Sequence, residues 1–215
     1  MMIKEFEKRL LSSLILIPIA IFFIIKGSLF FIFFLSMLFV ATSLEWLKMS
    51  KKNNLLKLLG ITFLFFSFYT AFNIRENSGL NYFLLIIIVC IFTDIGGYVF
   101  GKTLKGPKLI NISPNKTYAG VVGSFSFSLI AGYIYLKYLG IYYSNTIKMD
   151  QLFVLLYIFF ISLVSQIGDL IISYFKRKAK LKDTGKLLPG HGGLLDRIDG
   201  LIFVLPTIYL FQLIY

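Results

Sequence analysis

The chain has 215 residues, 58% of them hydrophobic, with 24 Phe, one His, one Cys and a formal net charge of +12. Its mean hydropathy is +0.83. This composition excludes an ordinary soluble domain and points to an all-α, polytopic membrane helix bundle. A lone Cys90 excludes an internal disulfide, a lone His191 excludes a multi-histidine metal site, and the succession of apolar runs is unlike the single short run of a secretory leader.

A bilayer core takes about 20 apolar residues per helix at ~1.5 Å rise each. Seven stretches meet this measure, near 10–25, 28–47, 55–73, 80–101, 119–139, 151–175 and 198–215. Only Lys26-Gly27 divides the first two, which predicts a tight helical hairpin. The last reaches membrane length only if it begins near Leu194. With the N-terminus in the cytosol, 18 of the 22 Lys and Arg fall in cytoplasmic segments, and only Lys26, Arg75, Lys137 and Lys148 lie on the other face. Topology therefore accounts for most of the charge, and nucleic acid is not needed as a partner. Residues 1–78 read as scaffold helices. Residues 79–215 read as a catalytic membrane region with cytoplasmic loops 101–118 and 176–197.

The polar residues concentrate between Ser173 and Asp199, where seven cations, three Asp and the only His fall within 27 residues. Two further carboxylates lie inside apolar helices. Asp94 precedes Lys102 by eight residues and Asp169 precedes Lys176 by seven, roughly 10–12 Å below the cytoplasmic helix ends. A buried Asp costs on the order of 2.5–3.5 kcal/mol on insertion scales, so each needs a partner or a wet cavity. A hydrogen bond between helices would serve for either alone. Asp196 and Asp199, at i and i+3, would share one face at the start of the last helix with Arg197 turned aside, where carboxylates also serve as ordinary dipole partners. With Asp169 and Asp183 they form a set of hard oxygen ligands among cations, the composition expected where magnesium meets polyphosphate. The turn Pro189-Gly190-His191-Gly192-Gly193 offers backbone N–H groups to phosphate, and His191 either donates to it or satisfies the loop. Ser113-Pro114-Asn115-Lys116-Thr117 places further phosphate donors at the mouth of the fifth helix, or else a capped turn with a snorkelling Lys.

The run Ser173-x2-Lys176-Arg177-x4-Lys182-Asp183-x-Gly185-x2-Leu188-Pro189-Gly190-His191-Gly192-Gly193-x2-Asp196-Arg197-x-Asp199 resembles the signature of the phosphatidate cytidylyltransferase (CDP-diacylglycerol synthase) family. Gly168-Asp169-Leu170 and Asp94 with Ser113–Thr117 resemble further elements of it, so the likeness covers about the C-terminal 125 residues. It implies transfer of the cytidylyl group of CTP to phosphatidate with Mg2+, giving CDP-diacylglycerol and pyrophosphate, at the cytosolic side of a multi-pass protein of the inner (cytoplasmic) membrane. It also implies roles. Asp169, Asp196 and Asp199, with Asp94, are the metal candidates; Asp169, Lys182, Asp183, Asp196 and Asp199 are the catalytic set. Substrate binding falls to Ser113, Asn115, Lys116, Thr117, Ser173, Lys176, Arg177 and Arg197, with Gly190, His191, Gly192 and Gly193 lining the nucleotide. The chain departs from the family at Ala119, where a Glu is usual. The missing carboxylate is either dispensable or replaced in space, with Asp94 or Glu45 expected to approach the Lys116 loop. The alternatives are a CTP-dependent lipid kinase, a CDP-alcohol phosphotransferase or a non-enzymatic transporter. The phosphotransferases would show two Asp pairs at four-residue spacing around a Gly, which this chain lacks. Glycine-rich and aromatic helix faces left for packing suggest a homodimer.

Overall fold

A computed structural model of the chain describes residues 2–51, 53–110, 113–139, 151–185, 187 and 192–214. The predicted apolar stretches are all helical. They are α1 (Met2–Lys26), α2 (Ser28–Met49), α3 (Asn54–Asn73), α4 (Leu80–Thr103), α5 (Tyr118–Ile134), α6 (Gln151–Lys178) and, at the end, a short α7 (Leu195–Ile198) followed by α8 (Leu201–Ile214). α3 and α5 each run on into a π turn, Ile74–Ser78 and Tyr135–Leu139. The fold class stands as expected: an all-α membrane bundle.

Among the described residues, five helices are long and apolar enough to cross a membrane, and the apolar parts of the first and last, Leu14–Lys26 and Leu201–Ile214, are shorter. The 14 residues of α8 extend only about 21 Å, against a hydrocarbon core of ~30 Å. The outward faces carry large apolar side chains such as Leu29, Phe33, Leu55, Phe65 and Val122. So wide an apolar surface is stable only against lipid.

One core runs through the bundle. It joins Phe31 and Leu35 of α2, Ile86 and Val89 of α4, Ile158 and Ile161 of α6, and Val204 and Ile208 of α8. A second cluster holds the end near the polar loops, with Trp46, Met49, Leu64, Ile172, Leu195 and Ile202. There Trp46 donates from Nε1 to the Leu56 carbonyl at 3.0 Å and meets Phe175 edge-on at 5.1 Å, which pins the end of α2 between α3 and α6.

The α1–α2 turn is the tight hairpin the sequence predicts. Gly27 adopts φ +64° there, and Arg75 of the following π turn donates to the carbonyls of Ile24 at 3.0 Å and Ile25 at 2.8 Å.

α4 and α5 make the closest crossing of the bundle, through glycine. A Cβ on Gly96 would collide with the Gly123 carbonyl, one on Gly97 would stand 2.7 Å from Ser124 Oγ, and one on Gly120 would stand 2.9 Å from the Gly97 carbonyl. Small residues let helix backbones approach where lipid supplies no hydrophobic drive. This crossing places Asp94 beside the start of α5. The loop between these helices is more ordered than expected: β1 (Lys108–Ile110) and β2 (Ser113–Thr117) form an antiparallel hairpin that pairs Lys108 with Thr117 and Ile110 with Ser113. Thr117 then caps α5, accepting from the Gly120 N–H at 3.1 Å.

The start of the last helix corrects the expectation of one unbroken helix through Asp196 and Asp199, although Asp199 keeps helical backbone angles and both carboxylates still face one cavity. α7 ends at Ile198, Asp199 and Gly200 make a turn, and α8 begins at Leu201. Close packing explains the break. A Cβ on Gly200 would run into Ser165, and one on Gly168 would lie 3.0 Å from the Asp199 carbonyl and 2.8 Å from Phe203. The turn thereby presses Asp199 against α6.

Candidate active site

These close approaches enclose a cavity of about 370 Å³ between α4, α5, α6 and α7, with the end of β2 on its rim. Asp94, Asp169, Asp196 and Asp199 line it, as do Lys116, Lys176 and Arg197. Four carboxylates and three cations thus meet in a space the size of a nucleotide site, at one end of an otherwise apolar bundle. Arg197, expected to turn away from the aspartates, faces the same cavity.

Two ion pairs organise it. Lys116, at the end of the hairpin, reaches Asp169 Oδ2 with Nζ at 2.6 Å. Ser173, one turn along α6, donates to Asp169 Oδ1 at 3.2 Å. On the other wall Lys176 pairs with Asp196 Oδ1 at 2.8 Å. α6 stops just beyond Lys176 in a Schellman turn, with Leu181 N–H donating to the Lys176 carbonyl, Lys180 N–H donating to that of Arg177, both at 2.9 Å, and Lys180 at φ +56°. This ending fixes the height at which Lys176 leaves the helix.

The carboxylates differ in what they do. Oδ2 of Asp196 accepts from Thr184 N at 2.8 Å and Gly193 N at 3.2 Å, and Thr184 Oγ1 lies 3.0 Å from it, its single proton shared between Asp196 and Glu45. With Lys176 on Oδ1, both of its oxygens are engaged in closing the loop. Asp169 and Asp199, by contrast, line the cavity side by side, close enough for their charges to interact, and Asp199 is only 8% exposed. Two acidic groups so close require a proton or a cation between them. Asp94 lines the same cavity, with Thr93 behind it bonded to Ser162 at 2.9 Å.

Of the other expected site residues, Ser113 and Thr117 line the cavity. Lys182, Asp183, Gly192 and Gly193 do not. Arg177 reaches back to the Leu181 carbonyl at 3.3 Å instead. Asn115 sits in β2. Gly190 and His191 lie outside the described residues.

Glu45 corrects a second expectation. Its carboxylate goes to the far wall rather than to Lys116: Oε2 accepts from Thr184 Oγ1 at 2.9 Å and Leu195 N at 2.8 Å, and Oε1 from Leu194 N at 2.9 Å. The acidic partner of Lys116 is Asp169, and Asp94 shares the cavity with them. Sequence reasoning passed over Thr184, although it follows Asp183 directly, because a single Thr in a polar loop carries no signal of its own.

No group of three or more His, Cys, Asp or Glu side chains converges at metal-ligating geometry among the described residues. Magnesium does not need one, since it keeps several waters and binds one or two carboxylates together with substrate phosphates. The meeting of Asp169 and Asp199 beside Asp94 fits that demand. Asp196, with both oxygens occupied, fits it less well.

The profile of the cytidylyltransferase family matches residues 54–215. The chain belongs to this family. A phosphatidate cytidylyltransferase of Rickettsia bellii is 34% identical over 226 residues, covering 96% of this chain and 90% of that protein. Phosphatidate cytidylyltransferases of Staphylococcus aureus (strain COL) and Staphylococcus haemolyticus are 40% and 38% identical over 151 residues, 70% of this chain. The chain spans about half the length of these staphylococcal relatives, 54% in each. All the residues that line the cavity fall within the family match.

Proposed function

We propose that the chain transfers the cytidylyl group of CTP to phosphatidate, yielding CDP-diacylglycerol and pyrophosphate. The observation that carries this reading is the cavity in which Lys116–Asp169 and Lys176–Asp196 face each other beside the Asp169–Asp199 pair. A phosphate oxygen of the lipid attacks the α-phosphorus of CTP, the bond from that phosphorus to the bridging oxygen breaks, and pyrophosphate leaves with the electron pair. The attacking phosphate is already ionised, so no strong base is required, in keeping with a chain that has one histidine. Such a transfer depends on positioning and on neutralising charge. Each Lys ammonium has three N–H donors, so Lys116 and Lys176 keep donors for phosphate beyond those held by their Asp partners. Arg197 adds a planar fork suited to phosphate oxygens.

Asp169 and Asp199, with Asp94 close by, would hold Mg2+, which neutralises phosphate charge when bound. The remaining elements of the reading come from the sequence. The 18-to-4 division of cations supports a cytosolic site in the inner membrane with the N-terminus on the same side, and the leftover glycine-rich and aromatic faces support a homodimer.

The test incubates the purified protein in detergent with labelled CTP, magnesium and either phosphatidate or diacylglycerol. Labelled CDP-lipid formed from phosphatidate is the expected product. Phosphatidate formed from diacylglycerol would instead establish a CTP-dependent kinase.

A further inference from the structure

Glu45 is a buried acidic side chain that the mechanism above leaves unused. It lies on α2, N-terminal to the family match at residues 54–215, and is 2% exposed. Both of its oxygens are committed to one segment of chain some 140–150 residues away, through Thr184 Oγ1, Leu194 N and Leu195 N. Two glycines of the signature run are shaped to admit it: a Cβ on Gly185 would collide with Glu45 Oε1, and one on Gly193 would stand 2.7 Å from Oε2. Burying a carboxylate is costly unless its oxygens are satisfied. Here backbone amides and one hydroxyl satisfy it, so the acid and the loop hold each other in place.

The residues so held stand behind the cavity wall, which Asp196 and Arg197 themselves line. Thr184 Oγ1 lies 2.9 Å from Glu45 and 3.0 Å from Asp196, while Thr184 N donates to Asp196 at 2.8 Å. Asp196 in turn holds Lys176. A continuous relay therefore runs from α2 through Thr184 and Asp196 to a cation facing the site. The opposite wall, around Lys116, is built on the glycine crossing of the apolar helices α4 and α5. Under the proposed function, a polar wall suits a water-soluble nucleotide and an apolar one suits a lipid.

On the basis of the proposed function, we infer that Glu45 is a positioning residue for the nucleotide half of the site. It anchors Thr184, Leu194 and Leu195 and, through Asp196, sets Lys176 toward the nucleotide phosphates.

Glu45→Gln keeps the side chain's shape but turns an amide N–H toward groups that are themselves donors. Thr184→Val removes only the hydroxyl link and spares the backbone bond to Asp196. Both are measured in the full chain in detergent, by hydrogen exchange of peptides covering 192–195 and by steady-state kinetics. For Glu45→Gln, exchange in that peptide should accelerate about tenfold or more while helical peptides elsewhere are unchanged. KM for CTP should rise about tenfold, with KM for phosphatidate and kcat within about twofold of wild type. Thr184→Val should move KM for CTP in the same direction by about threefold.

Unchanged exchange at 192–195 in Glu45→Gln would overturn the anchoring role. Faster exchange with KM values for CTP and phosphatidate rising together, or an unaltered KM for CTP in Thr184→Val, would overturn the link to the nucleotide. A wild-type protein that shows the anchored exchange pattern but no cytidylyl transfer would overturn the proposed activity and the nucleotide assignment with it. The exchange result alone would then stand.

Discussion

At the scale of single residues, the four cavity carboxylates divide by what touches them, and the division predicts opposite responses to one substitution. Asp196 accepts from Lys176, Thr184 and Gly193. Asp196→Asn leaves Lys176 without its counter-ion, so it should lower stability by about 1–3 kcal/mol, measured as an earlier thermal midpoint in detergent. Asp199 instead lies beside another acid, Asp169, and accepts from the backbone of its neighbour, Gly200 N, at 2.9 Å, a bond that Asn also accepts. Asp199→Asn should leave the midpoint in metal-free buffer unchanged or raise it, because it removes repulsion rather than attraction. A fall equal to that of Asp196→Asn would show that both groups are structural. Depth within an apolar helix was enough to single out Asp94 and Asp169 from sequence, since a charge in lipid always asks for a partner. The partners themselves were not legible. Glu45 and Leu195 are 150 residues apart, and nothing local in either segment records the contact.

At the scale of elements, the site depends on how closely helices approach, and glycine sets that distance. Gly96→Ala would drive a Cβ into the Gly123 carbonyl and to 2.8 Å from Phe127 Cβ. It should destabilise by about 1–3 kcal/mol through overpacking and separate Asp94 from Lys116, with loss of activity. Gly101→Ala, five residues along the same helix, meets only Thr117 Oγ1 at 3.4 Å and Gly120 Cα at 3.9 Å. It should be neutral or gain up to about 1 kcal/mol of helix propensity. Equal effects from the two would show that the crossing is loose. The helices themselves were legible because long apolar runs between charged ends admit one structure in lipid. The β1–β2 hairpin was not. Its strands are three and five residues long and show no clear alternation, and β2 contains Pro114, which cannot donate to the ladder. The break at Asp199-Gly200 was hidden for a related reason, since i, i+3 spacing reads as one helix until the packing of Gly168 and Gly200 is known.

At the scale of the whole molecule, a charged cavity lies at one end of a bundle sheathed in apolar side chains, and the proposed orientation turns that end to the cytosol. Orientation is open to direct labelling, because the only native thiol, Cys90, is buried. A cysteine at Asn77, exposed beyond α3, should react with an impermeant thiol reagent added to intact cells. One at Lys180, exposed beyond α6, should react only after lysis. The reverse pattern would put the cavity out of reach of cytosolic CTP. The central claim is that the acids meeting in this cavity support the transfer itself. Its most direct test is the initial rate of CDP-diacylglycerol formation by purified Asp169→Asn and Asp199→Asn proteins beside wild type, across a magnesium titration. The expected result is a fall of about 100-fold or more in each, partly restored at high magnesium, with the midpoint of Asp199→Asn unchanged and that of Asp169→Asn lowered because Lys116 loses its counter-ion. Rates near wild type in both variants would contradict it.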